Sequence, residues 1–489
     1  MLNISEQEII KRLQFDNPWW QGNEGIDSYI QAMPKRAYFS PFFDHISDRS
    51  LRRAIILMGP RRVGKTIMVS HAIDKLLQND TQPHAIFYIS LETPVYTGKS
   101  LEQLLNIFLE HHQHTRHSPL YIFFDEIQYL KDWEIHLKSL VDSYPSYKFV
   151  ATGSAAAALR LKSQESGAGR FSHFILPPLT FAEYLHFSNK QSLIEADNSQ
   201  SITAQLYPYR SPDIRALNDE FLNYLNYGGY PEAIFSERIR HESGQFIKSD
   251  IIDKVLLRDL PSLYGIQDIQ ELNRLFTTLA YNTGQEVSLE KLASTSGVAK
   301  NTLKRYLEYL EAAFLIKRVH RLDQNAQRFK RATMFKVYLT NPSMRSALFG
   351  NVDSQSEAMG ALVETAIYAQ WLHSTGLDNL YYARWDKGEV DIVHINDSTQ
   401  KPNWLLELKW SDLPYEDNRK LESLLHFACL HQETLITPLL VTTKTITANK
   451  ELDGQRVIYL PNSIYAFLLS TNLVQNHQQS SAISKMTQP

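Results

Sequence analysis

The eight residues Gly59-Pro60-Arg61-Arg62-Val63-Gly64-Lys65-Thr66 constrain this chain more than any other stretch. They keep the spacing G-x-x-x-x-G-K-[ST], in which glycines let a loop close tightly enough for its backbone N–H groups to face an anion. The run before them, Ala54-Ile55-Ile56-Leu57-Met58, is apolar and β-prone, and Ile67 to Leu77 carries apolar residues at helical spacing. Strand, loop, helix is the context the spacing requires. The helix adds unbonded first-turn amides and the positive end of its dipole. Gly59, Pro60, Arg61, Arg62, Val63, Gly64, Lys65, Thr66 and Ile67 are therefore the expected phosphate cradle. Lys65 is placed to reach the β and γ phosphates of ATP, and the Thr66 hydroxyl to join the shell of Mg2+. A tight turn with an incidental lysine is the competing reading, and the flanking strand and helix weigh against it.

At 489 residues the chain exceeds one ordinary core, so two to four domains are expected. A net charge of −3 argues against a wholly basic nucleic-acid coat but leaves room for a local basic face. One cysteine, Cys429, excludes an intrachain disulfide and a thiolate metal cluster. The opening Met1-Leu2-Asn3-Ile4-Ser5-Glu6 shows no charged segment followed by an apolar core, and no apolar run approaches membrane-spanning length. A cytoplasmic location is the expectation.

Residues 1–48 are aromatic-rich, with Pro18-Trp19-Trp20 and Tyr38-Phe39-Ser40-Pro41-Phe42-Phe43, a density that predicts packing against a neighbouring domain rather than ligand stacking. From Leu51 onward strand and helix patterns alternate, as in an α/β sheet. The segment Tyr121-Ile122-Phe123-Phe124-Asp125-Glu126 runs four apolar residues into adjacent carboxylates. At the carboxyl end of a parallel strand, Asp125 is expected to support Mg2+ and Glu126 to act as general base on water. The next strand ends Thr152-Gly153-Ser154, where Ser154 or Thr152 is a candidate for contact with the γ-phosphate or the lytic water; a helix-capping serine is the alternative. Arg170 is a candidate γ-phosphate sensor or finger, with a solvated arginine before a strand as the alternative.

Leu51 to about Leu185 resembles the AAA-type domain of a broad group of prokaryotic P-loop ATPases, in which the ATPase is joined to a C-terminal domain of unknown function. The phosphate loop, Phe123-Phe124-Asp125-Glu126-Ile127-Gln128, Thr152-Gly153-Ser154 and Leu179-Thr180-Phe181-Ala182-Glu183-Tyr184-Leu185 carry the resemblance. Tyr227-Gly228-Gly229-Tyr230-Pro231-Glu232 is similar to a lid motif of signal-transducing ATPases, and that likeness implies Pro231 near the adenine.

Polar clusters from Phe187 to Ile214 predict a loop-rich insertion before a helical lid. In the lid Arg258 is weighed as an arginine acting on a neighbouring subunit's nucleotide, against a surface salt bridge. Residues Glu286 to Val319 then pattern as helix, sharp turn at Ser296-Gly297-Val298, second helix and strand, the order of a winged helix. Lys300, Lys304, Arg305 and Arg318 are its candidate contacts to double-stranded DNA; a lid or protein-docking role is the alternative.

The last portion resembles the restriction-endonuclease-like arrangement, with Glu364 on a helix, Asp391 on a hairpin strand and Glu407-Leu408-Lys409 on the next. Period two puts Glu407 and Lys409 on one strand face. Asp391 and Glu407 are candidate Mg2+ ligands, with Lys409 orienting water toward a phosphodiester. A Glu-x-Lys triplet should arise by accident about twice in a chain this long, so a relic fold with a structural ion network remains the alternative.

The expected fold class is α/β: a P-loop AAA-type parallel sheet core followed by helical lid, winged helix and restriction-endonuclease-like α/β domain. Expected boundaries are 1–48 for the aromatic segment, 49–186 for the ATPase core, 187–265 for insertion and lid, 266–325 for the winged helix, 326–475 for the nuclease-like domain and 476–489 for a disordered tail. The expected function is a Mg2+-dependent ATPase switching a DNA or protein partner or its own self-association. An ATP-gated nuclease and a non-hydrolysing ATP-binding scaffold are the alternatives.

Overall fold

The computed structural model describes residues 4–22, 25–153, 169–328, 334–372 and 377–472. The tail expected at 476–489 and the residue Ser154 lie outside them. The chain separates into two compact units, Met1–Leu176 and Pro177–Leu473. No helix among the described residues is long and apolar enough to cross a membrane.

The first unit is built on five parallel strands, β1 (Ala54–Met58), β2 (Ile86–Ser90), β3 (Tyr121–Asp125), β4 (Lys148–Gly153) and β5 (Phe171–Ile175), in the order β2-β3-β4-β1-β5. All five positions of β1 are buried, as expected of an unbroken apolar run covered on both faces. The connection leaving β1 runs toward the β2 edge, whereas the one leaving its neighbour β4 runs the other way to β5, so the outgoing connections diverge between these two strands. Ligands bind at such points, at the carboxyl edge.

The aromatic lead-in belongs to this unit. Ser5 caps the helix Glu6–Asp16 in a reciprocal arrangement with Glu8. The indoles of Trp19 and Trp20 then donate to the carbonyl of Ile86 at 3.2 and 2.9 Å, and Trp20 stacks on Phe108 at 5.4 Å.

The second unit opens with the helix Phe181–Phe187, followed by a short hairpin, β6 (Glu195–Ala196) and β7 (Tyr209–Arg210), inside the polar stretch. Helices from Ile214–Tyr227 to Ile269–Tyr281 follow. Its main sheet has nine strands: β8 (Glu286–Ser288), β9 (Ile316–Leu322), β10 (Met334–Leu339), β11 (Leu380–Trp385), β12 (Gly388–Ile395), β13 (Pro402–Glu407), β14 (Leu439–Thr443), β15 (Ala448–Leu452) and β16 (Gln455–Pro461). Their order is β15-β16-β14-β13-β12-β11-β9-β10-β8.

This sheet corrects the expected boundary at 325/326. Strand β10 lies beyond that boundary, yet it pairs antiparallel with both β8 and β9, and β9 pairs in parallel with β11 through Tyr382↔Arg321 and Ala383↔Leu322. Ladder hydrogen bonds therefore run without a break from the helix–turn–helix segment into the carboxyl-terminal sheet. The helix Met359–Trp371 is buried along most of its length, and its Leu362, Ala366 and Ile367 share a core with Ile392 of β12 and Leu406 of β13. The pairing of β15 with β16, and the helix at 462–472, had no expectation from sequence.

Candidate functional site

The phosphate loop links β1 to the helix Lys65–Gln78. Its two glycines have different causes. A Cβ on Gly59 would meet the carbonyl oxygen of Leu176 at 2.1 Å, so close approach to the end of β5 demands glycine there. Gly64 has φ +93° with open space around a would-be Cβ; here the backbone conformation itself is the requirement. Arg62 also turns left-handed, at φ 64°. The Lys65 ammonium is buried and donates to the carbonyls of Gly59 and Pro60 at 3.1 and 2.8 Å.

Strand β4 lies between β1 and β3, and its Thr152 ties the two motif strands together. Leu57 of β1 is registered with Thr152, whose hydroxyl donates to Asp125 and accepts from the amide of Glu126 at 3.0 Å. The other Asp125 oxygen accepts from Thr66 at 3.0 Å and from the Tyr88 hydroxyl at 3.0 Å. Glu126 stands at φ 54°, ψ 49°, a left-handed conformation unusual for a side chain of its size, and Gln128 donates to its carboxylate.

The residues present fit a magnesium nucleotide. A hydroxyl and a carboxylate sit 3.0 Å apart, hard oxygen donors of the kind Mg2+ takes. They stand where helix geometry leaves first-turn amides without an intrahelical acceptor. The lysine beside them donates to the neutral carbonyls of Gly59 and Pro60.

Three residues outside the motif belong to this site. Arg36, from the aromatic lead-in, is buried and donates to the carbonyl of Val63 at 2.7 Å, fixing the loop from behind. Tyr88 and Gln128 hold the two carboxylates. Local sequence signals none of them except Gln128, which follows the acidic pair by two residues.

Arg170 does not join the site within this unit. It precedes β5, and its carbonyl accepts from Ala54 at the amino end of β1. With about 3.3 Å of rise per residue, the phosphate loop lies roughly 16 Å away along the strand. The Arg170 guanidinium pairs instead with Asp142 on the surface, with both side chains close to half exposed.

In the second unit Pro231 begins the helix Pro231–Phe235. The glycine before it is required by packing, because a Cβ on Gly229 would meet the buried Asn341 side chain at 1.9 Å. Arg258 is exposed on the helical stretch near Tyr264. Of the candidate DNA contacts, Lys304 and Arg305 are exposed on the helix Lys300–Ala312, whereas Lys300 pairs with Glu290 and Arg318 with Glu311.

The structure brings Glu364, Asp391, Glu407 and Lys409 together. Strand β13 ends at Glu407, so Lys409 lies past the strand rather than on its face. Its ammonium still reaches Glu407 at 2.7 Å and Asp391 at 3.1 Å. A second lysine, Lys336 of β10, fills the remaining space. Its ammonium is 2.9 Å from Glu364, 2.6 Å from Glu389 and 3.9 Å from Asp391, with the side chain only 5% exposed. The signal was a lone lysine in the otherwise apolar strand Met-Phe-Lys-Val-Tyr-Leu, since a buried lysine needs carboxylate partners.

Burial alone would lower Lys336, but Glu364, Asp391 and Glu389 together hold it above the ordinary lysine range. Burial would raise Asp391, but Lys409, Lys336 and the Leu408 amide keep it below the usual carboxylate range. Burial, then the Asp391 charge, pushes Glu407 up to about 8 against the opposing pull of Lys409. One Glu407 oxygen is buried with no hydrogen-bond partner among the described residues. This set does not fit a divalent ion as it stands, because an ammonium already occupies the space between its acids. No group of three or more histidine, cysteine, aspartate or glutamate residues arranged to hold a metal occurs among the described residues.

Residues 51–185 match the family described as AAA domain, and residues 218–355 match a domain of unknown function. An uncharacterized protein of Haemophilus influenzae is 24% identical over 412 residues, covering 83% of this chain and 92% of that one. An uncharacterized protein of Methanocaldococcus jannaschii is 27% identical over 354 residues, covering 69% of this chain and 71% of its own. Among solved structures, AMPPCP-bound DnaA from Aquifex aeolicus aligns with a TM-score of 0.28 at 12% identity, over 56% of this chain and 86% of that chain. Cdc6p from Pyrobaculum aerophilum aligns with a TM-score of 0.29 at 14% identity, over 66% and 97%. The chain thus joins an AAA-type P-loop domain, on a five-stranded parallel sheet, to a domain of unknown function.

Proposed function

We propose that this protein is a cytoplasmic, Mg2+-dependent ATPase whose hydrolysis cycle switches its engagement with a DNA or protein partner. The observation that carries the reading is the meeting of the Thr66 hydroxyl with Asp125 at 3.0 Å, with Glu126 anchored beside them through Thr152. Magnesium, when bound, would supply neutralisation of the charge that develops on the phosphates. Thr66 and Asp125 would hold it. Lys65 would exchange its loop carbonyls for the β and γ phosphates, while the amides of residues 63–67 bind the remaining oxygens. Glu126, restrained by Gln128, would accept the proton of the attacking water. Thr152 keeps the base and the metal ligand in register. Arg36 fixes the loop that holds the phosphates. Ser154 would keep the role its motif implies, contact with the γ-phosphate or the lytic water.

Phosphate release that needs both Mg2+ and ATP, and that Glu126→Gln reduces at least a hundredfold, is the expected result. Tight ATP binding with no turnover would replace this reading by the non-hydrolysing scaffold. For the partner, exposed Lys304 and Arg305 at the start of the helix Lys300–Ala312 favour DNA through a winged-helix contact. Salt-dependent duplex binding should weaken when both become alanine; binding that persists unchanged would point to protein docking instead.

A further inference from the structure

We infer that the acid cluster of the carboxyl-terminal sheet is closed by an internal ammonium, Lys336, which takes the place a divalent ion would need, so that this centre binds no divalent cation in the intact chain. Three carboxylates surround one nitrogen: Glu364 at 2.9 Å, Glu389 at 2.6 Å and Asp391 at 3.9 Å. Glu364 comes from the helix Met359–Trp371, and the other two stand two residues apart on β12. The Tyr382 ring adds its face 5.3 Å from the same ammonium, and the Tyr338 hydroxyl donates to Glu364. Lys409 takes the other oxygen of Asp391 at 3.1 Å, so both oxygens of the central carboxylate already face positive charge.

Lys336 is not a surface side chain that swings aside. It lies on β10 between Phe335 and Val337, both buried, and that strand is paired on both edges. A dication approaching Asp391 would meet two fixed ammoniums in a medium where like charges repel strongly. Taking the lysine charge away would leave Glu364, Glu389 and Asp391 converging on one vacated space, which is a cation site made by deletion. The inference goes beyond the ATPase reading and stands or falls separately from it.

Nucleotide-free full-length protein titrated with Mn2+ tests it, with free Mn2+ counted by electron paramagnetic resonance. Wild type and Asp391→Asn should bind equal numbers of ions. Lys336→Met should gain one Mn2+, bound at least tenfold more tightly than any site in wild type, and lose it again in the Lys336→Met/Asp391→Asn double variant. A wild-type Mn2+ that disappears in Asp391→Asn or Glu364→Gln would overturn the proposal, as would a folded Lys336→Met that gains none. Should Lys336→Met fail to fold, the comparison of wild type with Asp391→Asn and Glu364→Gln still decides.

Discussion

The two charged centres of this molecule use the same residue types to opposite ends. At the phosphate loop a buried lysine rests on the neutral carbonyls of Gly59 and Pro60, while Asp125 is held by the hydroxyls of Thr66, Thr152 and Tyr88. In the carboxyl-terminal sheet a buried lysine rests directly on carboxylates. Dipoles that hold an ammonium release it cheaply when an anion arrives. Carboxylates that hold it are also discharged by it, and neither partner remains available. The first arrangement waits for a ligand, and the second is complete.

The largest expected effect breaks the second arrangement. Lys336→Met should lower stability by about 3–5 kcal/mol in denaturant titrations, because it strands buried carboxylates. A loss below about 1 kcal/mol would mean that the cluster is not a closed network. Lys65→Met should show the opposite balance, with turnover reduced on the order of a hundred- to a thousandfold and a stability loss smaller than that of Lys336→Met, since its hydrogen bonds to Gly59 and Pro60 are to neutral carbonyls. Next comes Arg36→Met, which removes a charged hydrogen bond to the loop at Val63. ATP binding measured by calorimetry should weaken about tenfold.

A pH series separates the centres further. Glu407 is raised from 4.5 to about 8, so its contribution to stability is full below pH 4.5 and is lost as pH rises through 8. Wild type should become less stable across that window on account of this group, and Glu407→Gln should flatten the profile. The smallest effect is expected at Arg170. Its pair with Asp142 is close to half exposed on both sides, so Arg170→Ala should change stability by under about 0.5 kcal/mol. Turnover of that variant by a single chain should stay within about twofold. A large loss would show that Arg170 acts on a nucleotide held by another copy.

Much of the first site was legible because its chemistry is local. Phosphate-binding amides, the lysine and the hydroxyl come from one unbroken loop and helix turn. The Asp125-Glu126 pair announces itself at the end of an apolar strand. Arg170 was legible as a residue but not as a position. Only strand register shows that a residue before β5 stands at the edge opposite the loop. Arg36 gave no signal, since an arginine in an aromatic lead-in looks like any surface cation until its hydrogen bond to Val63 is seen.

The nuclease-like set divides along the same line. Glu364, Asp391, Glu407 and Lys409 were found by spacing, and their convergence follows from the helix and strands that carry them. Lys336 was not, because its strand is separated in sequence from every acid it meets and joins them only through the ladder that carries β9 and β10 into the main sheet.

By itself the sequence determined the phosphate loop, the acidic strand end and the α/β class, because each is set by neighbours a few residues apart. Only the tertiary structure decided which charges meet: that Arg36 secures the loop, that Arg170 lies at the far edge, and that Lys336 fills the acid cluster. Side-chain electrostatics depend on distances of a few ångströms between segments the chain keeps far apart, and those distances exist only once the sheets are formed.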